Sequence, residues 1–110
     1  MSTTVQKQVL INARALIADR ARWTRCTFAR TASGHQVVWY AETAAKWCAV
    51  GALYRAAYDL VGDPKAATRI GDELAKSVCP KRWLGSLATL NDWRGHAAVL
   101  KTLDKALQVA

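Results

Sequence analysis

Apolar residues return at helical spacing along most of the chain. From Thr3 or Thr4 to about Arg20 they fall at Val5, Val9, Leu10, Ala13, Leu16 and Ile17, one face of a helix that leaves Lys7 and Arg14 outside it. Between Trp23 and Tyr40 the period shortens. Thr24, Cys26 and Phe28 alternate with charged or polar residues, Ser33-Gly34 offers a turn, and Val37, Val38, Trp39 and Tyr40 are strand formers, which predicts a short β-hairpin over about residues 24–40. A stretch that opens at Glu42 or Thr43 and runs to about Leu60 is interrupted only by Lys46, Arg55 and Asp59, the composition of a helix buried on most sides. Gly62 ends it, and Asp63-Pro64 restarts the chain as a capping residue and a first helical proline, followed by Ala66, Ala67, Ile70, Leu74 and Val78 at helical spacing. Pro80 begins a brief fourth segment with Trp83, Leu84, Leu87 and Leu90 on one face, broken by Asn91-Asp92 and Gly95. From about His96 a last helix carries Val99, Leu100, Leu103, Ala106 and Leu107 on one stripe and turns Lys101 and Lys105 outward.

These segments predict a mainly α fold, a compact bundle of four to five helices with the small hairpin as an insertion on one edge. A two-stranded hairpin is marginal alone, so Trp23 and Trp39 are expected to pin it to the helices. The chain's 110 residues, 52% hydrophobic and 22% charged, suit a single domain spanning 1–110, and no repeat of solenoid length is present. The first helix lacks the apolar core of a signal peptide and no apolar run reaches about 18 residues, so a cytoplasmic protein off the membrane is expected. Cys26, Cys48 and Cys79 are widely spaced, odd in number and without a CxxC pair, and only two histidines accompany them. Reduced thiols fit this pattern, with neither disulfide nor metal site, and nothing points to a cofactor.

Charge adds a functional direction. Sixteen Lys and Arg against eight Asp and Glu leave +8, and residues 1–30 alone hold six basic and one acidic residue. Arg20, Arg22, Arg25 and Arg30 surround Trp23 and Phe28, and arginines interleaved with aromatics bind phosphates while stacking on bases. These six residues form the candidate binding site for an anionic partner, either nucleic acid or an acidic protein surface.

Several blocks of the chain match a pattern found elsewhere. Trp23-Thr24, Phe28-Ala29-Arg30 and Gly34 form one block, Trp47-Cys48-Ala49-Val50-Gly51-Ala52-Leu53 a second, and Asn91-Asp92 a third. Together they resemble a bacterial and phage family of unknown function, marked by WT…FAR, WCALGAL and WND blocks. Leu90 stands where the third block has tryptophan, and Gly95 where a threonine is common, which leaves the cap of the last helix open. The resemblance runs over nearly the whole chain and implies one helical domain; it brings no activity with it.

Cys48 carries the most chemical potential. A thiol near a helix start is acidified by exposed amides, His96 is the available imidazole, and Asn91 or Asp92 could orient it, the arrangement of a cysteine hydrolase or acyltransferase using Cys48, His96 and Asp92. Against this, Cys48 reads as one turn or more into an apolar helix, where burial raises a thiol's pKa and a small residue serves close packing. Asn91-Asp92 reads first as a helix-boundary cap, and His35 as a solvated turn residue. The eight carboxylates are scattered, and no glycine-rich phosphate loop is present. The leading expectation is therefore a small, basic, non-enzymatic binding or modulator protein, of the kind a phage or mobile element carries as an accessory factor. The cysteine enzyme is one alternative, and a structural homo-oligomer the other.

Overall fold

A computed structural model describes residues 3–109. Five helices, α1 (Thr4–Leu16), α2 (Ala49–Val61), α3 (Pro64–Val78), α4 (Leu87–Arg94) and α5 (His96–Val109), enclose one core, and a two-stranded antiparallel hairpin sits between α1 and α2. Its strands are β1 (Ala29–Arg30) and β2 (Lys46–Trp47), paired Ala29 to Trp47 and Arg30 to Lys46. The mainly α bundle with one small hairpin is the architecture the hydrophobic pattern predicts.

Local chemistry explains several boundaries. Thr3 and Gln6 close a reciprocal capping box at the start of α1. The Asp63 carboxylate accepts from the Ala66 amide with Pro64 as the first residue of α3, as the Asp-Pro pair predicts. Ser86 caps α4 by accepting from the Thr89 amide, so that helix begins at Leu87 and the residues from Pro80 to Gly85 form turns.

The fourth segment thus starts at Leu87 and not at the expected Pro80, which leaves Trp83 and Leu84 outside it, and three further expectations need correcting. The long apolar stretch becomes helical only at Ala49, not at Glu42 or Thr43, because Lys46 and Trp47 are drawn into the ladder with β1. The second strand of the hairpin therefore lies beyond the expected limit of residue 40; Val37–Tyr40 approach β1 only through a bridge at Gln36 and the Val37 amide, which donates to the Ala29 carbonyl. Asn91-Asp92 do not break α4 but lie inside it, and Gly95 in positive φ makes the break.

α2 is the central helix. Ala49, Ala52, Leu53 and Ala57 are fully buried, with Val9, Leu10 and Ala13 of α1, Ala67 and Leu74 of α3, Leu87 and Leu90 of α4, and Val99 and Leu103 of α5 completing the core. Its small residues set how closely neighbours approach. A Cβ on Gly51 would overlap the backbone carbonyl of Phe28, and one on Gly71 of α3 would overlap the Tyr54 ring. Arg14 pairs with Asp104 at 2.9 Å and joins α1 to α5 on a partly exposed face, where such a pair adds little.

Backbone yields less readily than a ring, and this sets the order of two substitutions. Gly51→Ala is expected to lower unfolding free energy by about 2–3 kcal/mol in urea denaturation, and Gly71→Ala by less, since the nearest atoms it meets belong to a side chain and not to backbone. A loss under about 1 kcal/mol for Gly51→Ala would contradict the close approach of Phe28 to α2.

Candidate functional site

The start of α2 is built by residues from four parts of the chain. Cys48 is the helix N-cap: its backbone is extended, its Sγ accepts from the Gly51 amide at 3.3 Å, and its own amide donates to the Phe28 carbonyl. The Ala49 amide donates to Asn91 Oδ1 at 2.9 Å, so a side chain on α4 satisfies an amide that a helix start leaves without an internal partner. Asn91 Oδ1 also accepts from the Trp23 indole at 2.7 Å, and its Nδ2 donates to the Thr24 carbonyl and to Asp92 Oδ1. Asp92 in turn accepts from the Cys26 amide, holding Cys26 at φ 66, a left-handed backbone uncommon outside glycine. Asn91 is a cap as its residue type suggests, but for a helix 42 residues away in sequence.

The candidate catalytic residues lie near this junction without forming a relay. Cys48 and Asp92 line one cavity of about 330 Å³ together with Cys26 and Phe28, and His96 is not among its lining. His96 Nε2 donates to the Ile17 carbonyl at 2.6 Å and its ring packs on Trp23, 5.5 Å between centroids. None of Cys48, His96 and Asp92 hydrogen-bonds another. The dipole at the helix start is present after all, since Cys48 is the cap and not an interior residue. Burial nevertheless outweighs the Gly51 and Val50 amides, and with the Asp92 charge adding in the same direction the thiol is pushed up from 9.0 to about 11. At neutral pH Cys48 is a protonated capping group.

The six candidate binding residues separate into three environments. Arg20, Arg22 and Arg25 are exposed; Arg20 and Arg22 sit on a short 3-10 turn capped by Asp19. The Arg22 guanidinium lies 5.7 Å over the Trp47 ring and that of Arg25 5.1 Å over Trp23, itself buried. Arg30 is turned inward, donating to Thr24 Oγ1 and the Gly34 carbonyl, and so braces the hairpin. Phe28 stands apart, packed edge-on against Tyr54. There it borders a larger cavity of about 560 Å³, also lined by Asp72, Lys76 and Cys79, in which the Tyr54 hydroxyl donates to Asp72.

Two basic features escaped the sequence reading. Arg55 of α2 also lies over Trp47 and donates to the Trp39 and Ala41 carbonyls, fastening the segment before β2. Between α4, α5 and the turns after Pro80 runs a cleft of about 280 Å³ lined by Arg82, Trp83, Arg94, Lys101 and Lys105 among others, with no carboxylate in its walls. The i, i+4 spacing of Lys101 and Lys105 was its one visible sign, and it reads equally as a solvated helix face.

Among the described residues no group of three or more His, Cys, Asp or Glu is placed to hold a metal, and no helix is long and apolar enough to cross a membrane. The profile of a family of unknown function, DUF6197, matches residues 1–109. No curated protein and no solved structure matches the chain.

Two outcomes follow from this geometry. Asn91→Ala strands the Trp23 indole, the Ala49 amide and the Thr24 carbonyl, and is expected to cost about 3 kcal/mol or more in chemical denaturation; a loss under 1 kcal/mol would contradict the junction. Because the folded-state pKa of Cys48 is raised, the unfolded chain releases this proton first, and stability is lost as pH climbs from about 9 toward 11. Urea denaturation from pH 8 to 10.5 should show that decline, smaller in Cys48→Ser, whose hydroxyl retains the cap; an identical decline in both would exclude Cys48 as its source.

Proposed function

The chain belongs to the DUF6197 family, and we propose that it is a non-enzymatic binding module that engages an anionic partner through Arg20, Arg22 and Arg25. The observation that carries this reading is how few of its cations are neutralised. Among the described residues only Arg14 and Arg55 form ion pairs with carboxylates. Other acids are turned to local work: Asp19 and Asp63 cap helices, Asp92 holds the Cys26 amide, and Asp72 accepts from Tyr54. The surplus of +8 thus faces water with little internal compensation.

Placement favours binding over mere solubility. Arg22 and Arg25 lie over indole rings fixed by the fold, Trp47 through its bond to the Trp39 carbonyl and Trp23 through its bond to Asn91. A guanidinium held in this way keeps its donors in the plane of the group and loses less freedom when it meets phosphate or carboxylate. A small accessory factor of a phage or mobile element, acting in a reducing cytosol where its three cysteines stay free, is consistent with this chemistry.

Retention on an immobilised polyanion such as heparin tests the reading. The wild-type chain should elute only at raised salt, and Arg20→Ala/Arg22→Ala/Arg25→Ala at distinctly lower salt with an unchanged circular dichroism spectrum. Elution of both proteins at the same salt concentration would contradict a role for these arginines.

A further inference from the structure

The cleft between α4 and α5 gives the anionic partner a more specific character. We propose that this cleft binds the backbone of a single-stranded nucleic acid, with one base laid against Trp83; the proposal rests on the anion-binding reading above and names the partner. Four cationic side chains converge there from separate stretches: Arg82 from the turns after α3, Arg94 from the end of α4, and Lys101 and Lys105 from α5. The two lysines are one helical turn apart, about 6 Å along the axis, a separation on the scale of one nucleotide step. No carboxylate lies in the lining to compete for them.

Trp83 supplies what charge alone does not. Its indole N–H is committed to the Ser86 carbonyl and to Thr89 Oγ1, both at 3.0 Å, so the ring is fixed and has no donor left for a ligand. What it can offer is its π surface, the sequence-tolerant contact that aromatic side chains make with bases. An acidic polypeptide would satisfy the lysines and arginines but leave this ring without a partner. A concave cleft between helices also suits a flexible single strand; duplex readers instead project a helix or ribbon into the groove.

The cleft adjoins the arginines of the proposed face. The Arg25 guanidinium lies against Gly95 at the joint of α4 and α5, 3.3 Å from where a Cβ on that glycine would stand, and Arg94, the preceding residue, lines the cleft. Trp93, 80% exposed beside it on α4, is a second aromatic next to the same joint. Arg25 and Trp93 thus lie at the joint that Arg94 also borders, the route by which a strand longer than one nucleotide would pass between the two faces.

Fluorescence anisotropy of labelled oligothymidylate, read across a salt series, tests the proposal against sodium polyglutamate and an abasic phosphodiester chain of equal length as competitors. Wild type should bind oligothymidylate at least about five-fold tighter than the abasic chain, the contribution of one stacked base. In Lys101→Gln/Lys105→Gln, two exposed changes whose folding circular dichroism verifies, the slope of log affinity against log salt should shrink by about 1.4, the loss of two phosphate contacts to a single strand. Oligothymidylate binding that the lysine double variant leaves intact but the triple arginine variant abolishes would overturn the cleft while leaving the anion-binding function standing. Polyglutamate competing as well as oligothymidylate would overturn the nucleic-acid assignment in favour of an acidic protein. Failure to bind any of these polyanions at low salt would overturn both readings.

Discussion

Asn91 accepts at its oxygen from the Trp23 indole and from the first amide of α2, and donates from its nitrogen to the Thr24 carbonyl and to Asp92, with none of its surface in contact with water. A buried carboxamide with both donors and both acceptor sites filled is stable in a low-dielectric interior; with one partner missing it is costly. The consequence is geometric. The stretch between α1 and α2 has a ladder of only two pairs, and Asn91 ties its Trp23 and Thr24 to the start of the central helix. The Trp23 ring thereby becomes fixed, and with it the platform under Arg25 and the wall against His96.

What could be read from the sequence follows the range of the interactions. Asp63-Pro64 and the apolar spacing to Val78 delimit α3 because the cap, the proline and the stripe all act within a few residues. The start of α2 was not readable in this way. Residues 42–48 have helical composition, but Trp47 pairs with Ala29 and the Cys48 amide donates to Phe28, partners that only the closed chain brings near. Asn91 shows the same limit: its residue type announced a cap, while the helix it caps lies far away in sequence. The arginine cluster was legible as composition but not as arrangement, since Arg30 turns inward and Phe28 joins the Tyr54 cavity. The cleft was hidden because its four cations come from three segments that meet only once α5 folds back on α4 at Gly95.

Acids and bases divide the work unevenly. Carboxylates cap helices and hold backbone amides, tasks that need a short side chain beside its partner, whereas most lysines and arginines are left without an anionic partner inside the molecule. A protein arranged in this way carries self-repulsion that an external anion relieves. Cys48 fits the same scheme: at the head of α2 it is a capping group kept protonated by its surroundings, and the imidazole and carboxylate that a cysteine enzyme would use to activate it serve the Ile17 carbonyl and the Cys26 amide.

Nuclear magnetic resonance of the ¹⁵N-labelled chain titrated with oligothymidylate addresses the binding face most directly, because each of the five tryptophans contributes its own indole N–H signal. Shifts concentrated in the Trp83 indole and in the amides of Arg20, Arg22, Arg25, Arg82, Arg94, Lys101 and Lys105, with the Asn91-bound Trp23 indole staying protected from exchange, are the expected result. Shifts confined to Phe28, Tyr54 and Lys76, or a spectrum that does not respond to the oligonucleotide, would contradict it.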